Sequence, residues 1–231
     1  MTVKSWERSH LHNIRQIYGF SLFLSACGYI RRQIFMNTEV TLILEHIGKH
    51  IHLTGDEQDY FVNLLQAGKV KKRQFILKEG MICKHSSFVN KGCLRGFTLD
   101  KNGFEHVLNF APPGWWIGDM YSMITQKPGV MNIQALEDTD ILQLSKVNQE
   151  ILCTKVPKFE HFFRVITENS LVSTYQRLTE SLSFTAEERY LNFCKKYPML
   201  IQTLPQKQIA SYLGITPEFL SKMKKGLLKK R

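Results

Sequence analysis

Residues Gln206 to Lys225 read Gln-Lys-Gln-Ile-Ala-Ser-Tyr-Leu-Gly-Ile-Thr-Pro-Glu-Phe-Leu-Ser-Lys-Met-Lys-Lys, an order that few folds can absorb. Ile209 and Leu213 lie four apart and share a helix face. Ala210 is small where a second helix must pass close. Gly214 stands where a sharp turn needs a left-handed backbone, and Ile215 plugs the corner. Thr216 is a good N-cap, Pro217 suits the first helical position, and Glu218 favours the positive helix end. Leu220 and Met223 give the second helix an inward side, leaving Ser221, Lys222 and Lys225 outward. The spacing predicts two short helices joined by a tight turn, a helix-turn-helix whose second helix enters a DNA groove. An ordinary helical hairpin with a glycine cap is the competing reading.

The charge distribution weighs against that hairpin. The 231 residues carry 31 Lys/Arg and 20 Asp/Glu, a net of +11. Residues 184–231 hold 10 basic against 3 acidic, residues 1–35 hold 5 against 1, and the stretch between holds 16 of each. A neutral body with a basic C-terminal module fits phosphate binding by that module. The length suffices for one large domain or two smaller ones with their own cores.

Cys27, Cys83, Cys93, Cys153 and Cys194 form no Cys-x-x-Cys pair. An odd, scattered set argues against a disulfide framework and supplies no zinc or iron–sulfur spacing. Reduced, mostly buried thiols in a cytoplasm are expected, with no metal site. Tyr18 to Ile30 is mostly apolar and flanked by Arg8, Arg15 and Arg31-Arg32. It is short for a bilayer span, though it has the look of a secretory h-region, and Leu24-Ser25-Ala26-Cys27 resembles a lipoprotein cleavage box. Export would strand a DNA-binding module, so residues 1–35 are read as an extension or an early start, with Met36 opening the working chain. No membrane association is expected.

The hydrophobic period divides the rest. Val40, Leu42, Ile43, Leu44 and Ile47 predict a helix, and Asp56 to Asp59 open another that continues through Tyr60, Phe61, Leu64 and Leu65. Short β-rich runs follow at Gln74–Leu77, Phe88–Lys91, Leu94–Leu99, Phe104–Phe110, Met131–Ala135 and Ile141–Leu144. Asp100-Lys-Asn-Gly103 marks a hairpin, and Ala111-Pro-Pro-Gly114 interrupts the sheet. Such spacing predicts a small antiparallel roll or sandwich. After Pro157 the helical period returns. Phe159, Phe162, Phe163 and Ile166 give way to Leu171, Tyr175, Leu178 and Leu182, which approach a heptad seam. That helix packs on its own sheet, on its copy in a dimer, or on both. A shorter helix near Glu187–Tyr197 is expected to face Tyr190, Leu191 and Cys194 inward. The few residues after Lys225 leave no room for a two-stranded wing.

Helical start, β-roll, long helix and terminal helix-turn-helix, in that order, resemble the Crp–Fnr family of bacterial transcription regulators over about residues 40–231. The best-matched parts are Phe88-Val-Asn-Lys-Gly-Cys-Leu-Arg-Gly-Phe97, the Gly114–Met120 segment and Gln206–Lys225. The resemblance implies an α+β fold. Residues 36–154 would form a jelly-roll-like, cyclic-nucleotide-binding-like domain, residues 155–183 a central dimerisation helix, and residues 184–231 an all-α DNA-binding domain. It also implies a homodimer on double-stranded DNA, with RNA polymerase as a candidate partner and a cytoplasmic location.

Matched by motif, the base-reading positions fall on Pro217, Glu218 and Lys222. Glu218 would accept from cytosine N4 and Lys222 donate to guanine O6/N7. Pro217 stands where family members often carry arginine, so site preference should differ. Gln206, Thr216, Ser221 and Lys225 suit backbone positioning. The effector pocket would involve Trp116, Gly118, Asp119, Met120, Val130 and Met131. Members that bind cyclic AMP carry Gly-Glu-Leu and an arginine followed by Ser/Thr-Ala. Here Gly118-Asp119-Met120 and Gly129-Val130-Met131 stand in those places, with Lys127 the nearest cation. A buried phosphate without a guanidinium is poorly compensated, so cyclic AMP is not the expected cofactor, and Asp119 is equally a helix cap. His85, His106 and His161 are too scattered for haem. No nucleophile–base pair or phosphate loop argues for an enzyme. The alternative function is a small-molecule module that signals through protein contacts without DNA.

Overall fold

A computed structural model describes residues 40–229; the segment 1–35 and the readings attached to it lie outside the described residues. The chain divides after Glu45 into two compact units. Of the first, the described part is the opening of helix α1 (Thr41–Gly48), where Leu44 N–H donates to Val40 O at 3.0 Å. The second unit holds every other described element.

Helix α2 (Gly55–Asn63) opens on a capping box. The Thr54 hydroxyl accepts from Glu57 N–H at 3.3 Å, and Thr54 N–H donates to the Glu57 carboxylate at 2.8 Å. Two four-stranded antiparallel sheets follow. One runs β1 (Gln66–Val70), β8 (Thr139–Ser145), β3 (His85–Lys91), β6 (Trp116–Ile117). The other runs β2 (Phe75–Leu77), β7 (Asn132–Ala135), β4 (Leu94–Leu99), β5 (Glu105–Ala111). The inner faces close over Val89, Leu94, Ala111, Ile117, Ile133 and Ile141, as period-two burial requires. In the β4–β5 turn the Asp100 carboxylate accepts from Asn102 N–H at 2.8 Å and Phe104 N–H at 3.0 Å. Strands β1 and β6 were not expected from the sequence.

Helix α3 (Met120–Thr125) bridges β6 and β7, and α4 (Lys146–Lys155) leads from β8 into the long helix α5 (Lys158–Ser183). The start of α5 is welded in by aromatics: Phe159 and Phe162 are buried, and Phe159 stacks on Phe61 at 5.0 Å. Farther along, Leu171, Val172, Tyr175, Leu178 and Leu182 are all exposed. The α+β class, the antiparallel roll and the long helix are as expected.

Four helices end the chain: α6 (Ala186–Lys196), α7 (Leu200–Thr203), α8 (Gln206–Leu213) and α9 (Pro217–Lys229). In α6 the inward residues are Tyr190 and Phe193, with Cys194 half-buried beside them. Leu191, expected inside, is 43% exposed. The three- and four-residue steps from Tyr190 through Phe193 to Tyr197 define the buried stripe, and Leu191 falls off it. These helices share one apolar core with the roll: Phe97, Val107 and Phe110 of β4 and β5 cluster with Phe193, Tyr197, Ile209, Leu213 and Leu220.

Candidate nucleic-acid interface

The local chemistry of α8 and α9 builds a helix-turn-helix. Ile209, Ala210 and Leu213 are buried along one side of α8. Gly214 ends it with φ at +67°, where a side chain would be strained. Ile215 N–H returns to Ala210 O at 3.1 Å and Gly214 N–H to Ser211 O at 3.3 Å, closing the helix end. Thr216 then caps α9 by accepting from Phe219 N–H at 3.2 Å. Leu220 is wholly buried and Met223 packs on the same core. With that side pinned, Pro217, Glu218, Ser221, Lys222 and Lys225 are all exposed. They line one open surface hollow of about 520 Å³. Gln206 and Thr216 are exposed on the first turn of α8 and at the cap of α9, outside that hollow.

The sequence reading missed what holds this unit. Among the described residues, no further strand pairs with the edge of the sheet at β5. Instead, Val107 N–H donates to Ser211 Oγ at 3.0 Å, and the Ser211 hydroxyl donates to Glu105 O. Arg177 of α5 donates to Leu108 O, to Val107 O at 2.7 Å and to Tyr212 O at 2.9 Å, with its guanidinium 4.2 Å from the Tyr212 ring. Arg95, only 4% exposed, forks onto Glu105 at 2.7 and 2.9 Å and reaches Gln208 at 2.6 Å. That guanidinium holds the Glu105 carboxyl below the usual carboxylate range. Side chains from α5 and α8 thus satisfy backbone groups that an edge strand normally leaves to water.

The six residues proposed for an effector pocket fall in two segments, Trp116, Gly118, Asp119 and Met120 from β6 into α3, and Val130 and Met131 just before β7. Asp119, 6% exposed, caps α3 by accepting from Ser122 N–H at 3.1 Å. Ser122 in turn accepts from Cys83 N–H at 2.9 Å and donates to Lys127 O at 2.6 Å. Gly129 lies so close that a methyl group there would stand 2.0 Å from the other Asp119 oxygen. Gly118 backs onto Met123, Met131 is buried, and Met120 and Val130 are exposed. Trp116 packs edge-on against Phe88 at 5.3 Å, and its indole N–H is buried without a partner. Burial pushes the Cys83 thiol up and the Cys93 thiol to about 12, so both stay protonated. Among the described residues no group of His, Cys, Asp and Glu is arranged to hold a metal, and no helix is long and apolar enough to cross a membrane.

A cyclic nucleotide-binding domain model matches residues 67–155, the roll and α4. The transcriptional activator protein Anr of Pseudomonas protegens is 21% identical over 185 residues, 75% of each chain. The transcriptional regulatory protein btr of Bordetella pertussis is 25% identical over 146 residues, 58% of this chain and 60% of its own. The solved structure of FixK2 from Bradyrhizobium japonicum superposes with a TM-score of 0.63 at 18% identity, covering 72% of this chain and 85% of that one. Residues 67–155 thus match a cyclic nucleotide-binding domain, and the chain shares the fold of FixK2.

Proposed function

We propose that the chain acts as a homodimeric, sequence-specific DNA-binding transcription regulator in the cytoplasm, with no catalytic activity of its own. The observation that carries the reading is the outward side of α9. Its buried side is fixed by Leu220, and the two lysines, one carboxylate and one hydroxyl of Lys222, Lys225, Glu218 and Ser221 line a single hollow. Lys222 and Glu218 suit base edges and Pro217 adds an apolar rim. Gln206, Thr216, Ser221 and Lys225 suit phosphates. Phe219, exposed in the first turn, adds a surface for a thymine methyl group. The exposed stripe Leu171–Tyr175–Leu178–Leu182 supports pairing of two α5 helices. Two reading helices on one duplex raise affinity together.

Selection of duplexes from a random library with the purified full chain tests this. A recovered two-fold-related site whose affinity falls steeply with salt is the expected result. Absence of any enriched sequence, with binding indifferent to salt, overturns it.

The effector is a molecule other than cyclic AMP. Asp119 is buried and occupied as a cap, and Gly129-Val130-Met131 offers no guanidinium to neutralise a cyclic phosphate. Ligand that binds only the folded chain must raise its melting temperature, so cyclic AMP at millimolar concentration should leave it unchanged.

A further inference from the structure

The two arginines that meet the terminal helices, Arg95 buried and Arg177 half-buried, are neutralised very differently. Arg95 forks onto the Glu105 carboxylate. Arg177 has its hydrogen bonds answered by three backbone carbonyls and makes no ion pair within 4 Å among the described residues. Carbonyls satisfy the N–H groups but leave the charge in place; Glu180 acts on it only from a distance, and a largely desolvated charge without a direct counter-charge is unfavourable. Burial accordingly lowers the pKa of Arg177, and that of neighbouring Lys196, where the nearby Arg177 charge adds to the effect.

Beside Arg177 lies a cavity of about 130 Å³, lined among others by His106, Glu180, Arg189, Ser211 and Tyr212. Arg189 brings a second guanidinium. One of its terminal nitrogens donates to Phe184 O at 3.1 Å, while its buried Nε has no partner. The one carboxylate in the wall, Glu180, already accepts from Asn192 at 2.9 Å. The His106 ring meets Asp100 at 3.2 Å. At ~30 Å³ per water the space holds about four waters, the size of a five-heavy-atom oxyanion.

We infer that this cavity, between α5, α6, α8 and β5, is a binding site for a small oxyanion, a phosphate or a carboxylate, held between Arg177 and Arg189. The ligand supplies the directly paired counter-charge that Arg177 lacks and the acceptor that Arg189 Nε lacks. Its walls include His106 and Leu108 of the roll, Arg177 of the long helix, and Ser211, Tyr212 and Gly214 of the DNA-reading unit. Occupancy therefore fastens that unit to the roll. As a control on DNA binding this rests on the function proposed above; as a binding site it does not.

The test uses the full chain without DNA, so that it fails separately from the DNA reading. Inorganic phosphate and, in a second arm, acetate replace chloride at constant ionic strength, and binding is read by calorimetry and melting temperature. At ten times its dissociation constant the preferred anion should raise the melting temperature by about 3–6 °C. Anions also stabilise proteins by exclusion, so the comparison between variants decides. Arg189→Gln should weaken binding about tenfold or more. Glu180→Gln, which removes the competing carboxylate, should tighten it. The double variant Lys222→Ala/Lys225→Ala should leave it unchanged. Equal shifts in the wild type and in both the Arg189 and Glu180 variants overturn the inference, as does loss of the shift with the two α9 lysines. A response to acetate alone identifies a carboxylate, and a response to phosphate alone a phosphate.

Discussion

At the level of single residues, the proposed function gives Lys222 and Lys225 different tasks on one helix face. Both are exposed in the same hollow, yet they sit three positions apart and so at different heights on α9. Lys222→Ala should cost about 1–3 kcal/mol at one base position and relax preference there. Lys225→Ala should weaken every duplex alike and reduce the salt slope by about one. Binding of a panel of single-base variants of the selected site separates the two outcomes. Truncating the residue that aims them acts through stability: Leu220→Ala should cost about 2–5 kcal/mol in chemical denaturation, because Leu220 is fully buried. His46 gives a pH dependence. Burial, with His50 and Lys49 nearby, lowers its pKa below 6.5. The unfolded chain therefore takes up its proton at higher pH than the folded chain. Stability should be whole above about pH 6.5 and decline as pH falls through the folded pKa. His46→Phe, set among Phe88 and Phe162, should flatten that part of the profile.

Secondary elements show where sequence periodicity carries information and where it stops. The hairpin at Asp100–Gly103, the long helix after Pro157 and the turn at Gly214 each have local chemistry strong enough to read without neighbours. Strand β1, Gln-Ala-Gly-Lys-Val, has one β-branched residue and a glycine. It is a strand because β8 pairs with it from Gln66↔Gln143 to Val70↔Thr139, a long-range cause that no window of sequence contains. Strand β6 is two residues long and owes its existence to β3. Helix α4 leaves little mark in the sequence, because Val147, Ile151 and Leu152 make a thin apolar stripe in a polar segment. On α5 the stripe was legible, and Leu178→Glu tests its role. Sedimentation should report a monomer, with DNA affinity reduced by tenfold or more because paired reading helices multiply affinity. An unchanged dimer would show that α5 pairs elsewhere.

For the molecule as a whole, the helix-turn-helix and the outward side of α9 were legible because they are local, whereas the joint behind them was not. Arg95 and Gln208 are 113 residues apart and Ser211 and Glu105 are 106 apart, and nothing in either segment announces the other. The shared core of Phe97, Val107 and Phe110 with Phe193, Ile209 and Leu220 makes the terminal helices dependent on the roll. A fragment of residues 184–229 should lack a cooperative thermal transition, while the full chain melts with the roll and the helices together; circular dichroism and near-ultraviolet signals would follow one curve.

The unpaired flank of strand β5 is kept from solvent because Ser211 and Arg177 reach across to occupy its amide and carbonyl groups at Glu105, Val107 and Leu108. Side chains make a reversible seal. Whenever the terminal helices lift away, a bare ribbon edge is uncovered that can recruit the same edge from another molecule. Self-association into β-rich aggregates should therefore begin at β5, and Ser211→Ala, by loosening the seal, should shorten the lag before it starts.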